Sequence, residues 1–160
     1  MDHDRLDKAA LEVEQALGAR DIQKVIEYFD RFSLSTSAKQ SDLVKRIVAL
    51  AVRLRDEGEV EGALDYLLRL WALAKHRDVC VEILVILVQF KPDPRSATLF
   101  IWSIPCDLRA DRSIRLLTAR VCEASGDMLG ALRAFVGLSP SDFEAVPSFR
   151  RLFGEMSISL

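Results

Sequence analysis

Gly58-Glu59-Val60-Glu61-Gly62-Ala63-Leu64 and Gly126-Asp127-Met128-Leu129-Gly130-Ala131-Leu132 share a glycine, a second glycine four places on, and an Ala-Leu pair straight after it. Between them Pro92 lies 34 residues from each leading glycine, with Ala97 where the two segments carry Ala63 and Ala131. Other positions keep the phase: Leu67, Ile101 and Phe135 nine residues after each turn signal, Ala51, Val85 and Ala119 seven residues before it. A fixed period of this length marks a stack of helical hairpins, because one hairpin cannot bury its apolar face alone. Such a stack points to a binding scaffold rather than an enzyme.

Reading outward, the spacing predicts helices on both sides of every turn. Leu6, Ala9, Ala10, Val13 and Leu17 recur at helical intervals and stop at Gly18. Asp21 is placed to cap a second helix with a stripe of Ile22, Val25, Ile26, Phe29 and Phe32. Ser33 to Ser37 reads as a loop, and Ser41 as the cap of a third helix, Leu43 to Leu54, that ends at Gly58. The fourth carries Val60 to Leu73. Asp78 starts a fifth, Val79 to Phe90, apolar almost all round and so expected to be covered on more than one side. Pro92-Asp93-Pro94 breaks the chain, with Asp93 as cap and Pro94 at the first helical position. A sixth helix is expected from Arg95 to about Ile104, a seventh from about Ala110 to Ser125, and an eighth, capped by Asp127, from Met128 to Leu138. Ser141 and Glu144 form a capping-box pattern, and Phe143, Val146, Phe149, Leu152 and Phe153 give the tail an apolar face suited to closing the array.

The small residue after each turn has a mechanism: closely crossing helices need an alanine-sized side chain where the backbones approach. With Ala51, Gly58, Ala63 and Leu67 in one unit and Ala119, Gly126, Ala131 and Phe135 in another, the pattern resembles the tetratricopeptide repeat. The resemblance implies an all-α fold. It would be a right-handed superhelical array of antiparallel helix hairpins (an α-solenoid) of roughly three to four repeats plus a C-terminal capping segment. A single domain over 1–160 would then hold units at about 5–32, 42–75, 78–104 and 110–138, with the cap at 140–155. The family's first-helix aromatic is missing, and Pro92 stands for a glycine. The first unit fits only if Arg20 takes the glycine place and Val25 the alanine place, 38 residues before Gly58.

Carried over from the family, the partner-binding groove would present Lys45, Val48, Val52 and Arg55, then Val79, Glu82, Ile86 and Gln89, then Ser113, Leu116, Arg120 and Glu123. Such a groove suits an extended or helical apolar segment of a partner, with Arg55 and Arg120 orienting it. The other reading of Val48, Val52 and Ile86 is ordinary inter-repeat core. The lysine and asparagine clamp with which some family members grip a C-terminal carboxylate is not expected, since the chain has no asparagine.

Composition narrows the function. Half the residues are apolar, and the charges nearly cancel at a net −2, which argues against a globally basic nucleic-acid binder. Arg109, Arg112, Arg115 and Arg120, with Arg53 and Arg55, would make a basic stripe, but a solvated face is the simpler reading. Cys80, Cys106 and Cys122 read as small buried hydrophobes in a reducing compartment. Asp2 and Asp4 flank His3 but offer no rigid geometry for a metal, His76 has no cysteine at metal-ligand spacing, and no nucleotide-binding or hydrolase motif occurs. No catalytic residue, metal or cofactor is therefore expected. The charged Met1 to Arg5 has no apolar signal region, and the longest apolar run, Ile83 to Val88, is too short to span a bilayer. A cytoplasmic location follows as an expectation. The mean hydropathy of +0.13, high for so charged a chain, hints at apolar surface covered by a partner or by a second copy. The first expectation for function is a non-catalytic protein-protein interaction module, an adaptor or subunit of an assembly. The second is a small chaperone similar in size and architecture to those of bacterial type III secretion systems. The third is an RNA-binding helical repeat.

Overall fold

The computed structural model of the chain describes residues 2–31 and 37–135. Their regular structure is all helical, with no strand among them: α1 (Asp2–Gly18), α2 (Ile22–Arg31), α3 (Ser37–Asp56), α4 (Val60–Leu73), α5 (Arg77–Val85), a π-helical segment (Ile86–Phe90), α6 (Pro94–Trp102), α7 (Cys106–Arg109), α8 (Arg112–Ala124) and α9 (Met128–Phe135). The all-α class expected from the periodicity is what the chain adopts. The C-terminal cap expected at 140–155 lies outside the described residues, as does most of the Ser33–Ser37 loop.

The chain divides into two compact units, Met1–Ile83 and Leu84–Leu160. In the first, α1 packs on α2, α3 on α4, and α2 on both α3 and α4. Its core holds Ile22, Val25, Val44, Ile47, Ala51, Ala63, Leu67, Leu70 and Val79, each buried. In the second, α6 packs on the π segment and on α8, and α8 on α9, around Ala97, Ile104, Ile114, Ala119, Val121 and Ala131.

The turns repeat in atomic detail. Asp21 N–H donates to Ala16 C=O at 2.9 Å and Arg20 N–H to Leu17 C=O at 3.2 Å. Glu59 donates to Leu54 at 2.9 Å and Gly58 to Arg55 at 3.0 Å; Asp127 donates to Cys122 at 2.8 Å and Gly126 to Glu123 at 3.0 Å. This pair of bonds is the Schellman ending, which satisfies the last helical carbonyls and needs a left-handed residue just past the helix. That residue is Arg20 (φ 56°), Gly58 (φ 97°) or Gly126 (φ 78°), and among the described residues Arg20 is the only non-glycine with positive φ. The sequence period had put Arg20 in the glycine place, and the backbone puts it in the glycine conformation.

The following helices also begin alike. Val25, Ala63, Ala97 and Ala131 each donate the first i→i−4 bond, to Asp21, Glu59, Asp93 and Asp127, and all four are buried. The aspartates cap as expected. Asp21 accepts from Lys24 N–H at 3.2 Å, Asp93 from Ser96 N–H at 3.1 Å, and Asp127 from Gly130 N–H at 2.8 Å. At the fourth such place Glu59 makes no side-chain cap bond.

Pro92 breaks the pattern for a reason. It has no N–H and a fixed negative φ, so it cannot sit in a left-handed helix ending. The chain closes instead by widening: Lys91 N–H reaches back five residues to Ile86 C=O at 2.8 Å, and Asp93 N–H six residues to Leu87 C=O at 3.3 Å.

Three expected boundaries are corrected. Helix α3 starts at Ser37, so Ser41 lies within it rather than capping it. Helix α6 stops at Trp102 rather than at about Ile104, and the four-residue α7 follows Pro105 where no helix is expected from the sequence. Helix α8 starts at Arg112 because Asp111 caps it, accepting from Ser113 and Ile114 N–H at 2.9 and 3.2 Å.

Candidate functional site

The residues expected to line a groove fall in both units. In the first, Lys45 is exposed, Val52 is half-buried, and Val48 and Val79 belong to the core. Arg55 and Glu82 meet: the guanidinium donates to the Glu82 carboxylate at 2.6 Å and to Asp56 at 3.0 Å. Their side chains are only 12% and 19% exposed, so Arg55 is committed within the protein rather than held out to orient a ligand. Burial pushes the Glu82 carboxyl above its usual range; Arg55 opposes the shift and Asp56 adds to it. In the second unit Ile86 is fully buried, Gln89 is exposed, and Ser113, Leu116, Arg120 and Glu123 are half-buried along α8. Val48, Val79 and Ile86 thus serve as core.

A cavity of about 660 Å³ lies inside the second unit. Helical spacing assembles it. Thr98, Ile101 and Trp102 share one face of α6; Arg115, Thr118 and Cys122 share one face of α8; Gly130, Arg133 and Ala134 share one face of α9. Arg109 of α7 and the turn residues Ser125 and Asp127 complete it. Gly130 keeps the space open: a Cβ there would fall on the Asp127 carboxylate, 2.7 Å from its Cγ, and 3.0 Å from Cys122 Sγ. Trp102 is 78% exposed, the highest value among the described large apolar side chains.

Two of the cavity's arginines donate to backbone carbonyls. Arg109 Nε donates to Ile104 C=O at 2.8 Å, and its Nη2 to Trp102 C=O at 3.1 Å and Ile101 C=O at 3.4 Å, closing the end of α6. Arg115 Nε donates to Arg109 C=O at 3.2 Å. Arg133 stands exposed in the last turn of α9. Burial, with Asp127 nearby, raises the Cys122 thiol pKa, so the thiol stays protonated at neutral pH.

The cysteines divide three ways. Cys80 is buried as expected, Cys106 is exposed at the start of α7, and Cys122 is half-buried in the cavity. His76 has a structural place: its Nδ1 lies 3.2 Å from the Asp78 N–H and its Nε2 lies 3.2 Å from Ser41 Oγ. Among the described residues no three His, Cys, Asp or Glu side chains group to hold a metal ion, and no helix is long and apolar enough to cross a membrane.

No protein-family model matches the chain, and neither the curated proteins nor the solved structures yield a match.

Sequence reading missed Trp102 and Arg133; it put Arg109 and Arg115 in one basic stripe but read that stripe as a solvated face, whereas both line the cavity. A signal existed in the 98/101/102, 115/118/122 and 130/133/134 spacings. Spacing shows which residues share a face, but not which faces meet.

Proposed function

We propose that this chain is a non-catalytic protein-protein interaction module, an adaptor or subunit of an assembly built from tetratricopeptide-like hairpins, and that it captures an apolar segment of a partner protein. The observation that carries this reading is Trp102, exposed beside a cavity of about 660 Å³ whose lining includes three arginines. Tryptophan and arginine are the residue types that dominate binding energy at protein interfaces, above all beside pockets that exclude water. The cavity is also within the size range of ordinary ligand clefts. The equivalence of the turns at Arg20, Gly58 and Gly126 supports the hairpin-repeat architecture.

Pull-down from native lysate with the wild-type chain and with Trp102→Ala tests it. The expected result is a partner at stoichiometric yield that is depleted about tenfold or more by the substitution, the scale of a hot-spot truncation. An unchanged set of partners would contradict the proposal.

A further inference from the structure

We draw no further inference here: the strongest candidate, the cavity that α6, α8 and α9 line in the second unit with Trp102 exposed at its rim, belongs to the site already described, and nothing in the structure shows what covers it.

Discussion

Arg20 holds a left-handed backbone conformation that costs an L-residue with a side chain about 1–2 kcal/mol and costs glycine little. Its guanidinium recovers part of this by reaching Glu57 at 2.8 Å, but both side chains are about half exposed, and such pairs contribute about 0–1 kcal/mol. Arg20→Gly should therefore leave stability unchanged or raise it by up to about 1 kcal/mol in urea unfolding. Gly58→Ala, at φ 97°, should lower it by about 1 kcal/mol or more. Equal losses from the two substitutions would show that the turns are not equivalent. Glu59 offers a second test, since its counterparts Asp21, Asp93 and Asp127 cap their helices and it does not. The glutamate side chain is one methylene longer than the aspartates that reach the third helical N–H. Glu59→Asp should add about 0.5–1 kcal/mol, read as a higher urea midpoint; no gain would show that the backbone at Glu59 (φ −84°, ψ 56°) does not accept a cap.

Between elements, α3 and α5 are joined by Arg55 and Glu82. Because the folded chain holds the Glu82 proton more tightly than an unfolded one, that group's contribution is fully present below its ordinary value of 4.5 and is lost as pH rises through the raised folded value. Glu14 runs the other way. Hydrogen bonding from Arg46 lowers its pKa, so its small exposed contribution is present above 4.5 and is lost as pH falls through the folded value. The melting temperature of Glu82→Gln relative to wild type should therefore rise between about pH 4 and about pH 7, since the variant has no buried carboxylate to charge. A difference that falls over the same range would mean that Arg55 outweighs burial. The hairpin turns were legible in the sequence because glycine, aspartate and alanine are each required by a backbone event recurring with the period. Arg20 was legible only through that period, since nothing in arginine itself predicts positive φ. Helix α7 was not legible, because the four residues Cys106–Arg109 are too few to carry an apolar period. Ser41 misled as a cap because Ser37, a like residue earlier in the chain, opens the helix.

For the whole molecule, the groove positions show what a period leaves open. Val48, Val79 and Ile86 differ from groove residues only by their phase around the helix, and they are buried. The cavity of the second unit depends on faces of α6, α8 and α9 that are separately ordinary, and their meeting is a property of the fold. A partner that docks at this cavity would meet Trp102 at its rim. The most direct test places a photo-crosslinking amino acid at position 102 and, as a control, at the exposed Lys24, and irradiates the chain in native lysate. A discrete adduct with a partner protein is expected at position 102 and not at position 24. No adduct at 102, or the same adducts at both positions, would contradict it.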